Sequence, residues 1–262
     1  MSYGERIALK SRRELDQMRD VGKHTGEILL ALKEKARPGV TTGELDEFAA
    51  GELKRRGLNS PFLNYSPGGL PPYPAVICAS VNEEIVHGIP GSRELKEGDI
   101  ISLDFGVESQ GFHGDSAVTV AVGPISEDAQ KLLETTRESL YQGVGEMIPG
   151  KRLSDIGAAV QKRAEKDGYS VVRQFVGHGI GRQMHEPPQV PNYGSPGRGQ
   201  RLKQGMVLAV EPMINVGSEE VRILDDGWTA VTVDGELSAH FEHTIAITDE
   251  GPEVLTSIEG SH

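Results

Sequence analysis

The chain has a single cysteine, Cys78, among 262 residues. No internal disulfide can form, the fold must rest on packing, and a reducing compartment, the cytoplasm, is the expected location. No apolar run approaches the roughly 18 residues of a membrane span, and Met1 to Arg13 lacks the apolar centre of a signal peptide. Base is scarce as well. The 27 Lys+Arg stand against 39 Asp+Glu, a formal charge of −12, and no stretch gathers the cations together. This excludes a broad electrostatic footprint for nucleic acid or an anionic membrane. A soluble protein with no nucleic-acid specificity and no membrane partner is expected. Cys78 lies in the apolar run Val76-Ile77-Cys78-Ala79, where a thiol is more often a wall than a nucleophile.

What is there is helical punctuation that repeats. Ser11 and Glu14 form a capping box, and Leu15, Met18, Val21, Thr25, Ile28, Leu29 and Leu32 recur at helical spacing until Pro38-Gly39. Thr42 is expected to cap a second helix that stops at Gly57. A third helix starts at Ser126-Glu127-Asp128 and ends by Pro149-Gly150, and Ser154 opens a fourth that stops at Gly168. Pro38 and Pro149 are 111 positions apart, as are Gly57 and Gly168. That offset suggests a duplicated helix pair. Strand-like runs follow each pair: Ala75 to Val81, Ile100 to Val107 and Phe112 to Val122 in the first half, then Val171 to Val176, Met206 to Glu211, Thr229 to Val233 and His240 to Thr248. The pattern predicts an α+β fold with two related halves. No low-complexity linker divides them, so residues 1–262 are read as one domain, with about ten residues before the first helix.

The segment Ile100 to Val122 reads as a β-hairpin with an aspartate on each arm. A loop at Ser109-Gln110 would set Asp104 directly opposite Asp115. Like charges so placed repel, and a cation between them relieves the repulsion. The alternative is a pair of solvated aspartates in another register. Glu211 ends the apolar run Val207 to Val210 and precedes Pro212, an unusual place for a carboxylate unless it is paired, metal-bound or reaching water. In His240-Phe241-Glu242-His243-Thr244, alternation puts His240, Glu242 and Thr244 on one face, either a solvated polar face or a ligating one. His178 sits in Gly177-His178-Gly179-Ile180-Gly181, where glycines leave the imidazole unobstructed. A phosphate loop would need a following Lys-Ser/Thr and a helix, and neither is present.

These residues, with Phe112-His113-Gly114-Asp115, Gly177-His178-Gly179-Ile180-Gly181, His185-Glu186-Pro187-Pro188 and Val210-Glu211-Pro212, resemble the type I methionine aminopeptidases from about Ser11 to Ile258. The resemblance implies the pita-bread fold, two pseudo-symmetric halves around a dinuclear metal site, in agreement with the 111-residue offset. It implies Asp104, Asp115, His178, Glu211 and Glu242 as ligands of two divalent metal ions. Such an oxygen-rich donor set suits Mn, Fe, Co or Zn. It further implies removal of N-terminal methionine from nascent proteins and peptides with a small second residue, by metal-activated hydroxide attack on the first peptide bond. Glu211 would be ligand and proton shuttle, and His87 and His185 would contact the substrate around the scissile amide. His87 on its own residues reads more readily as a satisfied loop histidine, and His113, His240 and His243 are supporting or structural.

Phe62, Tyr65, Tyr73, Cys78, Met184 and Trp228 match the positions that line the methionine pocket in this family. Two departures stand there. Seven residues, Ser66 to Pro72, separate Tyr65 from Tyr73 where the family usually has two, and Met184 stands where Phe is common. The long loop is expected to form a lid and not a wall. Expected partners are nascent polypeptides, with a transient ribosome contact, and the chain is expected to be a monomer. Two other functions share this pattern: a proline-directed aminopeptidase with the same ligands, and a binding module that has lost its metals.

Overall fold

The computed structural model describes residues 7–257. The first six residues of the expected N-terminal extension, and Ile258, lie outside the described residues. The first half contains α1 (Arg12–Lys35), α2 (Thr42–Arg56), β1 (Ile77–Val81), β2 (Glu84–Val86), β3 (Ile100–Ser109) and β4 (Phe112–Ala121). The second contains α3 (Glu127–Gly145), α4 (Leu153–Lys166), β5 (Ser170–Val171), β6 (Gly177–Gly179), β7 (Glu186–Val190), β8 (Val207–Val210) and β9 (Met213–Asn215). It continues through β10 (Val221–Ile223), β11 (Ala230–Thr232), β12 (Ser238–His240), β13 (His243–Thr248) and β14 (Gly251–Val254). No helix among the described residues is long and apolar enough to cross a membrane.

The caps form where short-range chemistry puts them. Ser11 Oγ accepts the Glu14 amide while the Glu14 carboxylate accepts the Ser11 amide. The second helix is capped by Thr41 and not Thr42, because Thr41 is the residue three before Glu44 and the two exchange the same pair of bonds. Thr42 instead enters the first turn, its hydroxyl donating to Gly91 O. In α4 the N-cap is Arg152, two residues before the expected Ser154. Asp155 accepts its amide at 2.8 Å, just as Glu44 accepts that of Thr41. Gly57 ends α2 in the left-handed conformation, φ 67°.

The repeat extends beyond the helices. Gly39 N–H donates to Leu95 O and Leu95 N–H to Val40 O. In the second half Gly150 N–H donates to Leu202 O and Leu202 N–H to Lys151 O. Gly98 N–H to Val122 O is matched by Gly205 N–H to Ile247 O. Each helix pair backs its own sheet. In the first half Val21, Ile28 and Leu32 pack with Leu103, Phe105 and Val107. In the second, Leu132, Leu140 and Ile156 pack with Leu208, Val210 and Ile245. The sheets run β1-β3-β4 and β14-β13-β8-β6-β7, with two smaller ones, β12-β9-β5 and β10-β11-β2.

Three strand expectations change. The loop of the β3–β4 hairpin is Gln110-Gly111, both at positive φ (52° and 74°). That is the geometry a two-residue hairpin loop requires, and Gly111 adopts it without strain. Asp104 therefore faces Ala117, and Asp115 faces Gly106. The two-residue shift keeps both aspartates on one face as diagonal neighbours. The run Val171 to Val176 leaves the sheet after Val171. The run His240 to Thr248 is two strands, because β12 pairs with β9 and β13 with β8, while Glu242 between them bridges to Ala117 of β4.

That bridge lies on the seam between the halves. Two threonines secure it. Thr244 Oγ1 accepts the Asp115 amide at 3.0 Å and donates to Asp115 O at 2.8 Å. Thr119 Oγ1 does the same for His240, at 2.8 Å each. Ser116 Oγ adds a bond to Glu242 O at 2.7 Å.

Candidate active site

Alternation along β4 sends Asp115 to the face opposite Ser116, and the β3–β4 ladder carries Asp104 to that same face. His178 is the middle residue of β6, opposite Ala209 of β8. It is therefore in a strand. Its flanking glycines are required by close packing: a Cβ on Gly177 would lie 2.4 Å from Ala209 O, and one on Gly179 2.3 Å from Pro187 O. Glu211 leaves the end of β8, its carbonyl held by the Asn192 amide at 3.0 Å. Glu242, expected on a polar strand face, is 2% exposed.

The five side chains converge. His178 Nε2 lies 3.5 Å from Glu211 Oε1 and 3.8 Å from Asp115 Oδ2. Ligand atoms of Asp115, His178 and Glu242 all fall within 4.8 Å of one another. Buried Asp104 Oδ1, Asp115 Oδ1 and Glu242 Oε1 have no hydrogen-bond partner among the described residues. His178 Nδ1 lies 2.9 Å from Gly179 O, which fixes the proton there and turns the Nε2 lone pair toward the carboxylates.

Such a gathering of acceptors is unfavourable without a cation. Burial pushes Asp104 up to about 7. Burial first, then the charges of Glu242 and Asp104, pushes Asp115 well above the usual range. Glu211 rises by burial and then by Asp115 and Asp104, and Glu242 by burial and then by Glu211 and Asp104. Burial, then His185, lowers His178 to about 3. A buried set of carboxylate oxygens, three of them without a hydrogen-bond partner among the described residues, together with one neutral imidazole fits divalent metal.

One cavity of about 620 Å³ contains all five of these residues, His87 and His185, and all six positions matched to the side-chain pocket: Phe62, Tyr65, Tyr73, Cys78, Met184 and Trp228. His185 sits with its ring centre 4.3 Å from that of His178, lowered by burial and then by His113. His87, just after β2, holds an unusual positive φ of 62°. Its ring meets Phe175 edge-on at 5.2 Å, and burial, then His185, lowers it to about 4. Burial, then the charge of Asp104, raises the Cys78 thiol, so it is a neutral wall.

Sequence reasoning missed several lining residues. Gln174 and Phe175 were hidden inside an expected strand, and Ile223 and Gly227 carry no motif. The role of Tyr65 was also incomplete: besides lining the cavity, its hydroxyl lies 3.0 Å from His185 Nδ1 and its ring stacks on that imidazole. The Ser66 to Pro72 loop, expected not to be a wall, does form part of one, because Pro67 and Leu70 line the cavity. Trp228 Nε1 ties the loop down by donating to Pro71 O at 2.9 Å. His240 is fully enclosed, and neither ring nitrogen has a partner among the described residues.

The sequence profile of metallopeptidase family M24 matches residues 16–249. The chain belongs to metallopeptidase family M24. Within M24 it is 53% identical over 253 residues to a methionine aminopeptidase of Clostridium perfringens, covering 97% of this chain and 100% of that one. It is 52% identical to methionine aminopeptidase 1 of Bacillus subtilis, over 96% and 100% of the two chains. The crystal structure of the Rickettsia prowazekii methionine aminopeptidase superposes with a TM-score of 0.93 at 38% identity, covering 96% of this chain and 100% of that one. The Pyrococcus horikoshii prolidase superposes at 0.76 with 20% identity, over 97% of this chain and 64% of that one, a likeness of fold alone. This M24 peptidase therefore has the pita-bread fold and belongs with the methionine aminopeptidases, metal-dependent hydrolases.

Proposed function

We propose that the chain removes N-terminal methionine from nascent proteins and peptides whose second residue is small. The observation that carries this reading is the presence, in one cavity, of five converging metal-type donors and an apolar, sulfur-bearing pocket. The whole chain, 1–262, acts as one catalytic domain, since both halves line that cavity. Asp104, Asp115, His178, Glu211 and Glu242 would hold two divalent ions, Co, Mn, Fe or Zn. Metal bound there supplies a water acidic enough to deliver hydroxide near neutral pH and polarises the peptide carbonyl.

The remaining roles belong to the chain. Phe62, Tyr65, Tyr73, Cys78, Met184 and Trp228 take the unbranched thioether, for which flexible, polarizable walls are suited. His185 and His87, both kept neutral by burial, can each donate a hydrogen bond to charge developing at the scissile amide. Tyr65 and His185 share one bond through Nδ1, which leaves His185 Nε2 for the substrate. Glu211 would take the proton from the nucleophilic water and pass it to the departing amine. Nascent chains in the cytoplasm are the substrates, met with a transient ribosome contact, and the enzyme works as a monomer. Hydrolysis of Met-Ala-Ser by the metal-loaded protein, lost on chelation and restored by metal, tests the assignment. A preference for Ala-Pro peptides would overturn it.

A further inference from the structure

A second cleft, of about 140 Å³, lies on the reverse of the strands that carry the metal-type donors. Its sides are α1, through Leu29 and Lys33, and α3, through Arg137, Leu140 and Tyr141. Its floor is set by alternation. Where Asp115 and Glu242 point into the active cavity, their neighbours Ser116 and His243 point the other way. Ser116 Oγ donates to Glu242 O at 2.7 Å, so the two spaces share the backbone of these strands as a partition.

The lining is selective in charge. Among the described residues no carboxylate contributes to it, although the chain carries 39 acidic residues. Lys33 and Arg137 flank the mouth, and neither has an ion pair or side-chain hydrogen bond among the described residues, whereas Arg19, Arg56 and Arg163 are each paired with carboxylates. Deeper in, His243 Nδ1 lies 2.8 Å from Thr256 Oγ1, and its Nε2 lies 3.3 Å from the Tyr141 hydroxyl. Val118, Leu140 and Phe241 complete an apolar body. A cavity of this volume holds about one benzene-sized ring. A guanidinium at the rim matches a carboxylate in geometry as well as charge.

We propose that this cleft binds a small aromatic monocarboxylate, its ring between Leu140 and Val118 and its carboxylate on Lys33 and Arg137, independently of the peptide cavity. The test uses the full-length, metal-loaded protein and 4-fluorobenzoate as probe, followed by methyl NMR. Saturable shifts are expected at Val118 and Leu140, unchanged when free methionine fills the active cavity. The double variant Lys33→Gln, Arg137→Gln should weaken binding by roughly tenfold or more while turnover of Met-Ala-Ser is unchanged. Uncharged 4-fluorobenzamide should bind the native protein more weakly than the acid. Absence of shifts at millimolar probe, shifts confined to Met184, competition by methionine, or equal affinity in the double variant would each overturn the proposal.

Discussion

The Tyr65 hydroxyl and His185 Nδ1 lie 3.0 Å apart, with the two rings stacked at 5.3 Å. A tyrosine of the substrate wall thus orients the imidazole proposed to act on the substrate. Tyr65→Phe keeps the stacking and removes one hydrogen bond, worth about 1 kcal/mol. A roughly fivefold loss in kcat with little change in KM is expected. His185→Ala should lower kcat far more than it raises KM, because a donor to developing charge contributes most in the transition state. An effect of either variant confined to KM would assign the pair to ground-state binding.

Asp115→Asn removes one charge from a group of four carboxylates while the threonine clip on its backbone remains. Activity should vanish and bound metal should fall, with the far-UV circular dichroism and thermal transition of a folded protein retained. Unchanged metal stoichiometry and affinity by calorimetry would remove Asp115 from the ligand set.

Metal-free protein should lose stability as pH rises above about 6.5. Burial raises Asp104 from 3.8 to about 7, and burial with the neighbouring carboxylates raises Asp115, Glu211 and Glu242 well above their ordinary values. A carboxylate so raised contributes stability that is complete at low pH and is lost as pH climbs through the folded value. The buried imidazoles act in the opposite sense. His87 and His178, lowered from 6.5 to about 4 and about 3, lose their contribution only as pH falls below 6.5. Above that the histidine contribution is constant and the carboxylates decide the slope. Bound metal takes the place of those protons. Melting temperatures with and without metal should therefore diverge as pH rises above about 6.5, and parallel curves would contradict the account.

Shortening Ser66 to Pro72 to two residues removes Pro67 and Leu70 from the wall and Pro71 from its bond to Trp228. KM and inhibitor affinity should change more than kcat. In the native protein Met-Ala should be preferred, with norleucine-Ala within about 1 kcal/mol in kcat/KM, since a sulfur and a methylene differ little to an apolar slot. Assay of Met-Ala, norleucine-Ala, Leu-Ala and Ala-Pro peptides in both proteins checks this, and a deletion that alters kcat alone would count against it.

The legible parts of this chain were those governed by local rules. Ser11 with Glu14 and the glycines at 57 and 168 mark helix ends because capping and left-handed turns act over a few residues. Motif resemblance brought forward positions that lie together in one cavity. What local pattern could not supply was partner choice. His240 to Thr248 alternates evenly, yet two different strands claim its two ends. Gln174 and Phe175 are β-like in sequence, but the chain turns them into the cavity. The hairpin register depended on which two residues turned, and the capacity of Gly111 for positive φ decided it.

The two threonine clips exchange under the same relation that exchanges the halves. Thr119 corresponds to Thr244, Asp115 to His240, and Ala117 to Glu242, whose mutual bridge lies on the pseudo-twofold axis. Asp104 and Glu211 are likewise counterparts, lying beyond the matched Gly98 and Gly205. The active site is in this sense an isologous interface contained within one chain. One copy of its off-axis position has become a carboxylate facing the metal-type donors, and the other an enclosed imidazole. Asymmetry at two pairs, Asp115 against His240 and Glu242 against Ala117, places these carboxylates on one side of the exchange only.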